Sequence, residues 1–219
     1  MVTPKKILPL LPPKAPNLPI GPVNYTQEYA NQLLNVLRLY FNQLDNMGLL
    51  LAGQGGAFLN NPYGAFSSFV SQTATVNTAT LMTLDTTDFS NGVSIASSKI
   101  TVVNPGIYNL QFSVQLQNLD NAPQDLFIWL KQNGTDIVGS TGKVGLPARK
   151  SAGVAFHDIK GWNYFLSMNA NDYVEIYWST TNASVTIETY AASGTPTKPS
   201  TASVVATLSF VSALPPVIN

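Results

Sequence analysis

The sequence predicts an all-β domain, a two-sheet sandwich or jelly roll, preceded by a proline-rich arm and one long α-helix. Three observations predict it. From Tyr108 every second residue is large and apolar (Tyr108, Leu110, Phe112, Val114, Leu116), with Asn109, Gln111, Ser113, Gln115 and Gln117 between them. That period of two belongs to a strand with one face in a core. The segment is entered through Asn104-Pro105-Gly106, where proline presets φ and glycine tolerates positive φ. Finally, the stretch 65–212 carries many short apolar runs separated by turn residues and no further helical period.

Residues 1–23 form a proline-rich arm with Pro4, Pro9, Pro12, Pro13, Pro16, Pro19 and Pro22. Proline removes a backbone donor and disfavours α at the preceding residue, so the arm is expected to be extended. Ile7, Leu8, Leu10, Leu11, Leu18 and Ile20 lie between the prolines. A solvated linker has no need of them, and they are the candidates for anchoring to a partner surface. Residues 24–47 read as a helix, with Asn24 as N-cap, Gln27 completing a capping box, Glu28 in the first turn and Gly48 as the stop. At about 1.5 Å per residue it is a rod of about 33 Å. Leu33, Leu37, Tyr40 and Leu44 follow the 4-3-4 spacing of a coiled-coil seam, widened by Tyr29, Val36 and Phe41. A wide stripe also suits docking onto a β domain, but the low charge of the remaining face favours self-association.

Residues 48–64 are a glycine-rich linker. Gly53-Gln54-Gly55-Gly56 lacks the lysine and spacing of a phosphate-binding loop. In 65–212 the expected strands include 98–103, 106–117, 125–132, 151–157, 159–167, 172–180 and 202–211. Asn133-Gly134 is a strong type I′ hairpin signal, with Asn91-Gly92 and Lys160-Gly161 weaker. Tyr173, Glu175 and Tyr177 alternate with Val174, Ile176 and Trp178, so both faces there are expected to be covered. Residues 213–219 form a C-terminal tail.

Composition narrows the function classes. Of 219 residues, 45% are hydrophobic and only 10% charged, against about 25% in an ordinary soluble domain. Asn, Gln, Ser and Thr must build the surface, which suits packing against neighbours. Eleven basic and eleven acidic residues cancel, leaving no field to attract nucleic acid. Without cysteine there are no disulfides, thiolate metal sites or thiol nucleophiles. Prolines interrupt the apolar stretch after Lys5 and Lys6, so no signal peptide is expected, and no run is long enough for membrane insertion.

Little points to chemistry. His157 is the only histidine, and its neighbour Asp158 falls on the opposite face of a strand. No nucleophile-elbow motif and no EF-hand loop occurs. No catalytic, cofactor-binding or metal-ligating residue is therefore expected. Trp129 and Trp178 are expected in the core. Trp162, beside Gly161 near a turn signal, is the tryptophan expected at the surface and the candidate ligand contact.

Ala65-Phe66-Ser67, Lys99-Ile100-Thr101-Val102, Pro105-Gly106-Ile107-Tyr108 and Ser203 to Phe210 together resemble the C1q/TNF-like jelly-roll family, in the version found in bacteriophage structural proteins. The match spans roughly 65–212, with the PGIY segment its most specific part. Residues 15–46 also resemble the leader of marine phage virion proteins. The resemblance implies a ten-stranded jelly roll that trimerises about its long axis, with Tyr108, Phe112, Tyr177 and Trp178 as candidates for burial between subunits. A three-fold domain suits a three-helix bundle from 24–47. It also implies that Asp120 or Asp125 could hold calcium at an apex, as in some relatives. The expectation is a non-enzymatic homotrimer located in the virion, assembled in the host cytoplasm and bound to other capsid or tail proteins. Head decoration or a vertex appendage suits the short stalk. The alternative is a tail-fibre tip that recognises a host glycan or surface protein through loops 118–125, 141–150 and 191–201.

Overall fold

The computed structural model describes residues 14–52 and 61–214, and it divides into two units, Met1–Asn60 and Asn61–Asn219. In the first, residues 14–26 carry neither helix nor strand. Helix α1 (Gln27–Ala52) follows. Its N-cap is Thr26, not Asn24: the Thr26 Oγ1 accepts the Tyr29 N–H at 3.3 Å, and the Thr26 carbonyl accepts the first helical bond from Ala30. The helix also runs past Gly48. A mid-helix glycine costs only about 1 kcal/mol, and the Leu-Leu-Leu-Ala that follows favours helix. With 26 residues the rod is about 39 Å long. The linker expected at 48–64 is thereby shortened at both ends, since the first strand begins at Tyr63; residues 53–60 lie outside the described residues.

The second unit is built from strands β1 (Tyr63–Ser68), β2 (Thr80–Leu81), β3 (Thr86–Asn91), β4 (Val93–Ala96), β5 (Lys99–Val102), β6 (Gly106–Asn118), β7 (Gln124–Gln132), β8 (Thr135–Asp136), β9 (Gly142–Leu146), β10 (Phe156–Met168), β11 (Tyr173–Thr180), β12 (Val185–Ile187), β13 (Ser193–Gly194), β14 (Thr197–Lys198) and β15 (Val204–Ser212). One sheet runs β10-β6-β15-β1-β3, with β12 on β6. The other runs β4-β5-β11-β7, and β7 is flanked by β8 and β9. The pairings are antiparallel. Taking the eight principal strands in chain order, the sheets read 1-8-3-6 and 2-7-4-5, which is a jelly roll. Edge strands β3 and β4 and the short β2, β8 and β12 extend these to a six-stranded and a seven-stranded sheet, more than the expected ten strands.

The alternation at Tyr108–Leu116 does what its period predicts. Tyr108, Leu110, Phe112, Val114 and Leu116 are buried between the sheets, opposite Leu126, Ile128, Leu130, Val174, Ile176 and Trp178 from the second sheet. The Asn-Pro-Gly turn is clamped from inside, because the Tyr108 hydroxyl donates to the Asn104 carbonyl at 2.7 Å. Asn133 and Gly134 both take positive φ, 51° and 80°, and join β7 to β8 as the type I′ signal predicts. Lys160-Gly161 is not a turn. One strand, β10, takes in the strand expected at 159–167 and only the last two residues of that expected at 151–157, and it pairs with β6 over its whole length; residues 151–155 form a turn closed by a Ser151–Val154 bridge. A Cβ on Gly161 would stand 2.5 Å from the Phe112 carbonyl oxygen, so glycine is there to let β10 approach β6.

Candidate functional site

The two sheets present opposite kinds of outer surface. On the second sheet the outward positions of β7, β11, β5 and β9 mix aromatics with charges. Lys99 Nζ sits 4.4 Å above the Tyr173 ring, and Lys131 Nζ 4.4 Å above the Tyr177 ring. Trp129 packs against Tyr177 with ring centroids 5.9 Å apart, and its indole N–H donates to Asp136 at 2.8 Å. Lys143 pairs with Asp125 at 2.8 Å. The Lys99 and Lys131 ammonium groups cap the Tyr173 and Tyr177 rings, so the covering expected for both faces of β11 comes from this chain itself.

The first sheet is different. Three of its strands lie in the order β15-β6-β10, with β10 at the edge, and register places their outward residues in rows: Ser209, Asn109 and Phe165; Thr207, Gln111 and Asn163; Val205, Ser113 and Gly161; then Gln115 beside Ile159 and Gln117 beside His157. None of these is Asp, Glu, Lys or Arg. Ile159 is 60% exposed, Phe165 57% and Val211 51%. Exposed apolar side chains on an uncharged amide-and-hydroxyl face form a surface that another uncharged surface can cover without desolvating an ion.

This placement redistributes the residues singled out in the sequence. Tyr108, Phe112 and Trp178 are corrected: each is buried inside a single chain, 0%, 5% and 0% exposed, and none can line a subunit boundary. Burial also raises the Tyr108 hydroxyl above its ordinary pKa. Tyr177 faces outward, but on the charged sheet. Trp162 and Trp129 exchange their expected roles. Trp162 turns inward at the sandwich edge, its ring 4.7 Å from that of Phe112 and against Gly142, because β10 continues through it instead of turning. Trp129 is the tryptophan on an outer face. Sequence alternation already put Trp129 in phase with Phe127 and Lys131, the signal that could have placed it.

On α1, Leu33, Leu37 and Tyr40 are half-buried and Leu44 is 37% exposed, with Leu34 and Phe41 beside them more open. Of the anchoring candidates, Leu18 and Ile20 are exposed, while Ile7, Leu8, Leu10 and Leu11 lie outside the described residues.

The loop carboxylates have structural duties that compete with calcium. Asp120 accepts the Ala122 N–H at 3.0 Å, the Gln124 amide at 3.1 Å and the Asn182 amide. Asp125 is occupied by Lys143. Among the described residues no group of three or more His, Asp or Glu side chains is placed to hold a metal. His157 Nδ1 lies 2.9 Å from the Tyr190 hydroxyl, and Asp158 pairs instead with Lys160 at 2.9 Å.

No protein-family model matches this chain, and no curated protein matches it. Among solved structures, the globular domain of zebrafish complement 1qA protein is similar at 13% identity and a TM-score of 0.41, over 71% of this chain and 100% of that one. At that identity and score the likeness adds nothing to the jelly roll that the strand order already establishes.

Proposed function

We propose that this protein is a non-enzymatic structural module that self-associates as a homotrimer in a phage virion. Its neutral sheet face packs against further copies of the same chain, and its N-terminal arm anchors the assembly to other virion proteins. The segregation of charge between the two sheets carries the reading. The second sheet places Lys99, Lys131, Lys143, Asp125 and Asp136 on its outer face, and the outward rows of β15, β6 and β10 carry none; Glu188 and Lys198 reach the first sheet only at its Gln117 and Gln115 end. An uncharged face can be covered by an uncharged surface of a further copy without desolvating an ion, and that copy is the occupant proposed here. The seam Leu33, Leu37, Tyr40, Leu44 adds a second self-complementary element, and Met47 continues its 4-3-4 spacing within α1. Leu18 and Ile20 among the arm's prolines support anchoring. Burying a few such side chains at about 1.5–3 kcal/mol each becomes strong when three arms act together. The virion assignment is supported by the likeness of the PGIY segment and of residues 15–46 to phage structural proteins.

Light scattering on the full chain is the first test: three times 23.5 kDa is expected, and a stable monomer refutes the trimer. Copy number in purified particles, measured by quantitative mass spectrometry against the major capsid protein, tests the location. A fixed fraction set by the capsid lattice is expected for head decoration. A few trimers per particle would place the protein on the tail or a single vertex, and absence from particles refutes the virion reading.

A further inference from the structure

Between β12 and β15 the chain folds back over one end of the first sheet. Tyr190 and Thr201 close this segment with two backbone hydrogen bonds, 2.8 and 3.3 Å, and the Thr189 hydroxyl donates to the Thr201 carbonyl at 2.7 Å. Within it β13 and β14 pair as a short hairpin. A cavity of about 590 Å³, broadly open to solvent, lies between this segment and the sheet, lined by Gln115, His157, Asp158, Ile159, Tyr190 and Lys198. The size is that of a small-molecule site, and the walls are held by backbone bonds before any ligand arrives.

The lining has a definite polarity. Its one carboxylate, Asp158, is already taken by Lys160 at 2.9 Å and by the Ile159 N–H at 2.8 Å. Its one ammonium, Lys198, makes no ion pair among the described residues; it donates to the Ala191 carbonyl at 2.6 Å and keeps two N–H bonds to spare. The Tyr190 hydroxyl stays protonated, being raised by burial and then by the charge of Glu188. It lies 2.9 Å from His157 Nδ1, in a hydrogen bond whose donor is set by the imidazole tautomer. Glu188 does not compete for Lys198, since its oxygens accept from Thr186, Gln117 and Ser71. Among the lining residues, Ile159 and Tyr190 offer apolar surface and Gln115 offers both an amide donor and an acceptor. We infer that this cavity binds an acidic saccharide: the sugar carboxylate meets Lys198, the C–H face of the ring lies on Ile159 and Tyr190, and Gln115 takes ring hydroxyls. This goes beyond the structural role proposed above; because Gln115 and Ile159 stand at one end of the first sheet's outer face, the site requires that further copies pack on the rows of Phe165, Asn163 and Gly161 and leave that end open.

The test is calorimetric titration of the full-length chain with methyl β-glucuronide and with methyl β-glucoside, which share a ring and differ in the carboxylate. The glucuronide is expected to bind about tenfold or more tightly than the glucoside, the usual worth of a charge-assisted hydrogen bond. Lys198→Gln is expected to remove that difference. Equal affinity for the two sugars, no binding of either, or an undiminished preference in Lys198→Gln overturns the inference. Gln115→Ala, on a central strand away from the hairpin, is expected to weaken both sugars, and unchanged affinity there also overturns it. Light scattering on the same samples separates the two proposals: a monomer that binds the glucuronide sinks only the trimer, and a trimer that binds neither sugar sinks only the saccharide site.

Discussion

Phe165 offers a sharp test of which face self-associates. It stands at the outward row of β10 beside Asn109, 57% exposed, so it contributes little to the core of its own chain. Full burial of a phenylalanine side chain is worth about 1.5–3 kcal/mol, and the fraction left exposed sets aside about 1–2 kcal/mol for a partner. Three copies make that about 3–5 kcal/mol per trimer, or about two to four orders of magnitude in the overall association constant. Phe165→Ser should therefore shift assembly to much higher concentration while leaving the circular dichroism spectrum of the β domain intact. Sedimentation equilibrium over a dilution series measures the shift. Lys143→Ser, on the outer face of the other sheet, is the control, since an exposed ion pair such as Lys143–Asp125 is worth at most about 1 kcal/mol. If Phe165→Ser keeps the mass of the parent at every dilution, or if Lys143→Ser dissociates as readily, the charge-segregation argument is wrong.

Three further outcomes are expected. Asn118 is fully buried; its amide donates to the Pro147 and Ala122 carbonyls at 2.8 and 3.2 Å, and its oxygen accepts the Asp120 N–H at 2.8 Å, so Asn118→Ala should cost about 2–5 kcal/mol in denaturant unfolding by leaving these groups unpaired. Gly161→Ala should destabilise by about 1–3 kcal/mol in the same assay, because its Cβ must push β10 off the Phe112 carbonyl of β6. At Asp172 partial burial pushes the carboxyl pKa up, but bonds from the Asn169 backbone, the Asn133 and Gln132 side chains and Asn169 again outweigh it and hold the value below the ordinary carboxylate range. A depressed folded pKa means stability that is fully present above about pH 4 and lost as pH falls through the folded value; Asp172→Asn should thus be less stable than the parent at neutral pH, with the gap closing only below about pH 4 in acid titrations.

How much of this was legible in the sequence differs by element. The β6 alternation, the Asn133-Gly134 hairpin and the split between a helical arm and an all-β body are local properties. They depend on side-chain period and on which residues accept positive φ, so they are readable from neighbours in the chain. The short strands β3, β4 and β9 were missed because their pairing comes from partners elsewhere in the sequence. Gly142–Leu146, for instance, holds its place through the ladder to Gln124–Ile128 and not through any propensity of its own. Gly161 was misread as a turn for the same reason: glycine signals either a bend or a close approach, and only the neighbouring strand distinguishes them.

By itself the sequence determined that the chain is β-rich, neutral overall and short of charge, with one face of each long strand apolar. Which apolar face meets the other sheet and which side chains are left outside was decided only by tertiary pairing. Tyr108, Phe112 and Trp178 satisfy the core of one chain, and Trp129 is turned out beneath no sheet at all. The separation of charge between the two outer surfaces is likewise a tertiary fact. Lys99, Lys131 and Lys143 come from three different strands, β5, β7 and β9, and the uncharged rows of β15 and β6 join residues about a hundred positions apart. Strand order brings them together, because a sheet's outer surface is composed across its ladders and not along its chain.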